Sequence, residues 1–302
     1  VSRFLIVIAG PTASGKTSLG ITLARRFHTH VISADARQFY LEMNRGTAKP
    51  SLEQLAAVPH HFVNHLSIID NYSAGQFERE AVSFIENDLK NWPVLIMAGG
   101  SGLFIRAVLD GFDSIPPIEP EVKVELQELW TREGLVPLQR LLAEHDPVYY
   151  KKVDLNNPQR LLRALAVCLT TGKPFSSFRK RQAATRDFVP VKIGLKVDTD
   201  ALHRRIAQRV DQMMMSGLLE EAKHLYPARH LNALQTVGYT ELFNYLEQKT
   251  SLEKAVEEIK QNTRQYAKRQ ITWFKKEKDM KWFDPEQSDE IAQYIESKIN
   301  QS

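Results

Sequence analysis

The sequence predicts an α/β domain on a largely parallel sheet, interrupted by a helical insertion and completed by a helical C-terminal region. Three observations carry that expectation. Four apolar, β-branched runs, at 4–9, 30–34, 94–98 and 191–197, read as strands buried on both faces. Helical patterns separate them. No strand signal appears between Gly111 and Val189, and the last hundred residues return only briefly to the sheet.

The first run leads straight into Gly10, Pro11, Thr12, Ala13, Ser14, Gly15, Lys16 and Thr17, and then into a helical pattern over 18–27. Gly-x-x-x-x-Gly-Lys-Thr between a strand and a helix is the P-loop pattern, which makes the core P-loop NTPase-like. Backbone N–H groups of such a loop wrap a phosphate, and the helix N-terminus adds roughly half a positive charge. Lys16 supplies a mobile cation and Thr17 a hydroxyl for Mg²⁺. The chain is therefore expected to hold a diphosphate or longer.

The second strand is followed by Asp35, Ala36, Arg37 and Gln38. Ligands gather beyond the carboxyl ends of strands in open α/β sheets, so Asp35 faces the P-loop's cargo. A carboxylate there serves as metal ligand, general base, or cap of the following turn. Ser73 with Gln76 resembles a capping box, opening a helix over 74–89. The third strand ends in Gly99-Gly-Ser-Gly102, where a P-loop ATPase usually carries an aspartate for Mg²⁺. The glycines allow backbone to approach a ligand closely, or make a tight turn.

After Gly111 the pattern changes. Ile-Pro-Pro-Ile-Glu-Pro at 115–120 is a turn-rich joint, and 122–132, 136–143 and 158–170 read as helices. Residues 1–112 are thus the first part of the core, 113–190 the insertion, and 191–302 the core's completion with C-terminal helices. Cys168, the only cysteine, excludes an internal disulfide and a multi-cysteine zinc site. It lies in an apolar stretch and is expected to be a buried structural thiol. No apolar run approaches the ~20 residues that span a bilayer. The first run enters the P-loop directly, as a core strand does and a signal peptide does not. A cytoplasmic protein without membrane contact is expected.

The net charge is only +4, but the basic residues cluster. Arg160 and Arg163 share a helix face, Arg179, Lys180 and Arg181 are contiguous, and Arg205 and Arg209 stand at i, i+4. Paired guanidinium groups of that kind suit phosphate, which they bind bidentately. Near the C-terminus Lys260, Arg264 and Lys268 recur every four residues, with Ile259, Tyr266 and Trp273 on another face. Arg269, Lys275, Lys276, Lys278 and Lys281 extend the charge. This fits either a solvated helix face or a phosphate-tracking surface for a nucleic acid. Tyr239, Tyr245 and Phe274 lie nearby as base-stacking or core aromatics.

Together these strings resemble the tRNA dimethylallyltransferase (tRNA isopentenyltransferase) family. The resemblance rests on the P-loop, Asp-Ala-Arg-Gln at 35–38, Gly-Thr-Ala-Lys-Pro at 46–50 and Gly-Gly-Ser-Gly-Leu-Phe at 99–104. It continues through Gln-Arg-Leu-Leu-Arg at 159–163, Thr-Gly-Lys-Pro at 171–174, Thr-Val-Gly-Tyr at 236–239 and the run 263–273 ending in Gln-Ile-Thr-Trp. These strings follow the family's order over nearly the whole chain.

The resemblance implies a monomeric, Mg²⁺-dependent enzyme. Its reaction would move a dimethylallyl group from dimethylallyl diphosphate to N6 of the tRNA adenosine just 3′ of the anticodon. Asp35 is then the base facing the amine, while Thr12 and Arg209 contact the diphosphate. The implied RNA-contacting positions are Asp35, Ala36, Arg37, Gln38, Ser101, Lys123, Gln159, Arg160, Leu161, Leu162 and Arg163. Further along they are Gln235, Thr236, Val237, Gly238, Tyr239, Thr240, Lys268, Arg269, Gln270, Ile271, Thr272, Trp273, Phe274 and Lys275. The family usually has serine where this chain has Ala36, so a hydroxyl contact is lost or unnecessary there. Other readings share the P-loop: a nucleoside or small-molecule kinase, an RNA-binding module using the loop as a switch, and an adenylate isopentenyltransferase acting on free nucleotide. A kinase leaves the C-terminal basic helix unexplained, and the long insertion with the basic tail favours tRNA over free nucleotide.

Overall fold

The computed structural model describes residues 3–113, 115–179 and 184–301. Six parallel strands form one sheet: β1 (Phe4–Ala9), β2 (Val31–Ser33), β3 (His60–His61), β4 (Val94–Gly99), β5 (Val189–Leu195) and β6 (Lys281–Phe283), in the order β3-β2-β4-β1-β5-β6. The central strand β1 is buried along its whole length because both of its faces are covered. Phe4, Ile6 and Ile8 pack with α1 (Lys16–Arg26), and Leu5, Val7 and Ala9 point to the opposite layer. That layer includes α3 (Ala74–Glu86) and α4 (Gly102–Asp110); the short α2 (Leu52–Ala57) precedes β3. Capping boxes open α2 at Ser51 and α3 at Ser73.

β5 begins at Val189, earlier than the sequence pattern places it, and it stops at Leu195. Its register on β1 pairs Phe4 with Val189 and Leu5 with Pro190, whereas β6 joins only from Ile193 onward. Pro190 therefore sits where β5 is still an edge and no ladder N–H is required of it. β3 and β6 are two and three residues long, too short for an alternating pattern to register.

The chain divides into two compact units: residues up to Leu109 with those from Thr185 onward, and Asp110–Ala184. The second unit ends short of residue 190 because the chain has already returned to the sheet. Arg186 pairs with Glu78 at 2.7 Å and donates to the Val108 carbonyl at 2.8 Å. The second unit holds α5 (Pro120–Glu133), α6 (Leu135–His145), α7 (Pro147–Tyr150), α8 (Pro158–Thr171) and α9 (Phe175–Phe178) around Leu126, Leu138, Leu142, Leu161, Leu165 and Cys168. The Cys168 thiol is buried, accepts the Phe175 N–H at 3.3 Å, and is pushed up in pKa by that burial. Asp146, fully buried, accepts from the N–H groups of Tyr149 and Ser176 and from the Ser176 hydroxyl, which ties α7 to α9.

In the first unit, α10 (Thr199–Met215), α11 (Leu218–Leu225), α12 (Tyr239–Leu246) and the 23-residue α13 (Leu252–Phe274) follow β5. They share an apolar cluster with Tyr40, Met43 and Ile68. The last helix, α14 (Ser288–Asn300), lays Ile291, Ala292 and Ile295 on the α1 face of the sheet. No helix among the described residues is long and apolar enough to cross a membrane.

Candidate active site

Strand register decides which loops meet. Ala9 is level with Gly99 and Ser33 with Ala98, so the carboxyl ends of β1, β2 and β4 release Gly10, Ala34 and Gly100 along one edge. The P-loop leaves β1 there. Ala13 and Gly15 adopt positive φ, 62° and 89°, which curls successive peptide N–H groups into a concave anion-binding turn before α1 begins. The Ser14 hydroxyl is buried and has no hydrogen-bond partner among the described residues. Lys16 folds back to donate to the Pro11 carbonyl at 2.6 Å.

The glycine run after β4 approaches protein. A Cβ on Gly99 would overlap the Ala34 carbonyl, one on Gly100 the Gln270 amide, and one on Gly102 the Trp273 indole nitrogen. The run is thus a seat for β2 and for the end of α13. Ser101 stands within it and accepts the Ala36 N–H at 3.0 Å. Residue 36 is held here through its backbone, and its side chain packs against the sheet cluster, so the turn forms without a hydroxyl.

Asp35 Oδ1 accepts the Arg37 N–H at 3.2 Å, so the carboxylate does cap the turn. The other carboxylate oxygen has no hydrogen-bond partner among the described residues. Asp35 lines a cavity of about 720 Å³ together with Thr12, Arg209 and the apolar side chains of Leu103, Phe104, Val210, Met213 and Ile259. The Arg209 guanidinium, carried by α10, donates to the Thr12 hydroxyl at 3.0 Å. Burial brings the Lys16 ammonium down to about 8, although the Asp35 carboxylate opposes the shift and Arg209 adds to it. Burial also lowers Arg209, again against the pull of Asp35. Tyr266 joins the same group: burial raises its phenol, the Asp35 charge raises it further, and a hydrogen bond with Ser101 works the other way. Asp35, Arg209 and the Tyr266 phenol thus line one cavity that has both polar and apolar walls, and the Lys16 ammonium feels the Asp35 charge beside it.

Residues 38–277 match the family described as IPP transferase. The chain belongs to the IPP transferase family. It is 50% identical over 301 residues to the tRNA dimethylallyltransferase of Christiangramia forsetii, across 99% of this chain and 100% of that one. It is 48% identical over 293 residues to tRNA dimethylallyltransferase 1 of Phocaeicola vulgatus, across 97% and 98%. Among solved structures, the full-length tRNA isopentenylpyrophosphate transferase of Bacillus halodurans superposes with a TM-score of 0.73 at 34% identity, covering 99% of this chain and 97% of that one. A eukaryotic dimethylallyltransferase acting on tRNA gives 0.80 at 29% identity, covering 94% and 74%.

Within this IPP transferase chain, the expected contact positions divide sharply. Asp35, Ala36, Arg37, Ser101, Gln235, Thr236, Val237, Gly238, Thr240 and Arg269 line the cavity. Lys268, Thr272 and Lys275 are exposed on α13, with Ile271 and Trp273 half-buried. Lys123, Gln159, Arg160 and Arg163 are exposed on α5 and α8 of the second unit.

The side chains at other expected positions turn inward. Tyr239 is fully buried, its hydroxyl donating to Glu221 at 2.7 Å, and Phe274 and Leu161 are core residues. Gln38 is engaged at both ends, receiving the Ser33 hydroxyl and donating to the Ala48 carbonyl. Gln270 is buried likewise. Arg37 donates to the Ala233 carbonyl at 2.9 Å, which anchors the segment before α12. Of the paired arginines, Arg205 faces Glu286 at 3.6 Å and only Arg209 enters the cavity. Lys260 is claimed by Asp211 at 3.0 Å and Glu257 at 3.1 Å. Lys180 and Arg181 lie outside the described residues, and Arg179 sits over the Tyr149 ring.

Sequence reasoning missed Tyr266 as a neighbour of Asp35 and Glu221 as a clamp. Glu221 accepts the N–H groups of Asn44, Arg45 and Gly46, while the Tyr239 ring occupies the space a Gly46 side chain would need. The heptad spacing of Ile259, Tyr266 and Trp273 exposes one helix face to view in the sequence, but not what that face meets.

Proposed function

We propose that this chain transfers a dimethylallyl group from dimethylallyl diphosphate to N6 of the adenosine 3′ to the anticodon in tRNA, releasing diphosphate. The observation that carries the reading is one cavity lined by Asp35, by Thr12 with its Arg209 partner, and by the apolar side chains of Leu103, Phe104, Val210, Met213 and Ile259. A diphosphate with a five-carbon tail is charged at one end and hydrocarbon at the other, and the cavity supplies both cationic and apolar side chains. The exocyclic amine of adenine is a poor nucleophile because its lone pair is delocalised into the ring. Asp35 accepts one of its hydrogens while N6 bonds to C1 of the donor. The C1–O bond breaks, diphosphate leaves with the electron pair, and the proton ends on the carboxylate. Lys16, Arg209 and the loop N–H groups stabilise the charge growing on the leaving group. No phosphoryl group moves, so a strand-end aspartate after β4 is not required.

Mg²⁺, when bound, neutralises diphosphate charge. The chain offers it hard oxygen donors only sparsely. Thr17 heads α1, and no cluster of three His, Cys, Asp or Glu side chains able to hold a metal occurs among the described residues. Mg²⁺ keeps its waters and takes phosphate oxygens alongside one or two protein ligands, so the set fits.

The acceptor base has to leave its stack to enter the cavity, at a cost of about a few kcal/mol, least in a single-stranded loop. The exposed Lys268 and Lys275 of α13, and Arg160 and Arg163 of α8, are the phosphate-facing cations that offset it. Cytoplasmic tRNA is the natural substrate pool.

Two measurements test this reading. Mass analysis of anticodon-loop fragments, after incubation with dimethylallyl diphosphate, Mg²⁺ and unmodified tRNA, is expected to show a five-carbon gain on one adenosine. No gain, together with phosphate transfer from ATP to a metabolite, would make the chain a kinase. The second is a pH series. Below about pH 8 the Lys16 ammonium is protonated and grips the donor. Above it the free site loses the proton, so donor affinity is expected to fall about tenfold per pH unit. Calorimetric titration with dimethylallyl diphosphate reads this directly, and a flat profile to about pH 9 would remove Lys16 from the donor's grip.

A further inference from the structure

Gln270 lies in the stretch of α13 that family resemblance assigns to RNA, yet it is only 6% exposed. Both ends of its carboxamide are used inside the protein. Oε1 accepts the Thr12 N–H at 2.8 Å, and Nε2 donates to the Gly100 carbonyl at 2.9 Å. One side chain from α13 therefore bridges the loop after β1 and the loop after β4. Thr12 is in turn the residue whose hydroxyl receives Arg209 at 3.0 Å.

We propose that Gln270 is a positioning residue for the diphosphate cradle: by holding the Thr12 amide it fixes the Thr12 hydroxyl and the Arg209 guanidinium where the leaving group sits. Only a carboxamide meets both demands. It presents an acceptor and a donor at one planar end, whereas a carboxylate cannot donate to Gly100 and an alkyl chain does neither. A glutamate would also place a negative charge beside the diphosphate. Gly100 completes the device from the other side, because any Cβ there would overlap the Gln270 amide. Lys268, Arg269, Thr272 and Lys275 are the exposed residues of the same stretch. The segment therefore combines an inward brace with an outward charged side, and the two roles separate residue by residue.

The inference rests on the cavity being the prenyl-diphosphate site, and its test keeps the two apart. Dimethylallyl diphosphate is titrated calorimetrically into wild type, Gln270→Met, Gln270→Ala, Gly100→Ala and the double variant Gly100→Ala/Gln270→Ala. tRNA affinity is measured on the same proteins by filter binding. Gln270→Met is expected to weaken the donor about tenfold, the worth of one or two buried hydrogen bonds, and to leave tRNA affinity within about twofold. Gly100→Ala is expected to weaken the donor similarly in the wild-type background and to add less than about twofold once Gln270 is alanine, because nothing then remains to clash with. Should Gln270→Met not fold, Gly100→Ala carries the same donor readout. Weaker tRNA binding with unchanged donor affinity would make Gln270 an RNA contact and overturn the proposal. A lowered melting temperature with both affinities unchanged would make it a packing residue. If wild type itself binds no dimethylallyl diphosphate, the functional reading falls first.

Discussion

Replacing Asp35 by asparagine is expected to slow prenyl transfer about 10²–10⁴-fold in single-turnover assays, the usual worth of a general base. tRNA affinity should stay within a few fold. The choice of asparagine follows from the geometry. Asp35 Oδ1 accepts the Arg37 N–H, and asparagine keeps an oxygen for that cap while losing the ability to take a proton. Alanine removes both functions at once. Base and cap are therefore separable: the base reading requires both variants to be slow, with only alanine lowering the melting temperature. An asparagine variant of near wild-type rate would leave Asp35 as a cap alone. A second consequence reaches Lys16, whose ammonium Asp35 helps to keep charged. In Asp35→Asn the pH above which donor affinity declines should move below about 8.

Arg209→Ala is expected to lower kcat about 10²–10³-fold, the scale of removing one preorganised donor from developing negative charge. The guanidinium is buried enough for its pKa to fall, and the Asp35 charge pulls against that shift. It donates to the Thr12 hydroxyl, which holds the guanidinium in place. Negative charge on the diphosphate grows as the C–O bond lengthens, so this contact strengthens toward the transition state. The loss should therefore appear in kcat more than in KM. Arg209→Lys keeps the charge without the planar fork and should recover only part of the rate. A variant with unchanged kcat and raised KM would confine Arg209 to holding the ground state.

Much of the fold is legible in the sequence because its signals are local. The run 4–9 is apolar throughout with Ile6, Val7 and Ile8 β-branched, and it forms β1 over those same residues. The P-loop spacing fixes a strand, a turn and a helix in fifteen or so consecutive residues. Ser73 and Gln76 announce the start of α3 through hydrogen bonds three residues apart. The short strands β3 and β6 are not legible, since they gain their partners from distant strands and not from any pattern of their own.

The site divides in the same way. The rule that strand ends face the ligand singles out Asp35, and the structure places that residue on the cavity. The run 268–275 is read correctly as basic, but its helix has two sides. Lys268 and Lys275 face solvent while Gln270 and Phe274 face the core, and no spacing argument distinguishes a polar residue aimed at RNA from one aimed at a buried carbonyl. Tyr239 illustrates the converse: an aromatic suited to stacking is fully buried because Glu221 satisfies its hydroxyl.

The sequence by itself determined the anion-binding loop, the single carboxylate beyond β2 and the alternation that makes a parallel sheet, because each depends on neighbours a few residues away. Only the tertiary structure decided that Arg209, Tyr266 and Gln270 converge on Thr12 and Asp35. Those contacts cross up to 258 positions of chain. They are set by strand register and by the seat that Gly99, Gly100 and Gly102 leave for neighbouring backbone and for α13, and no local preference specifies them.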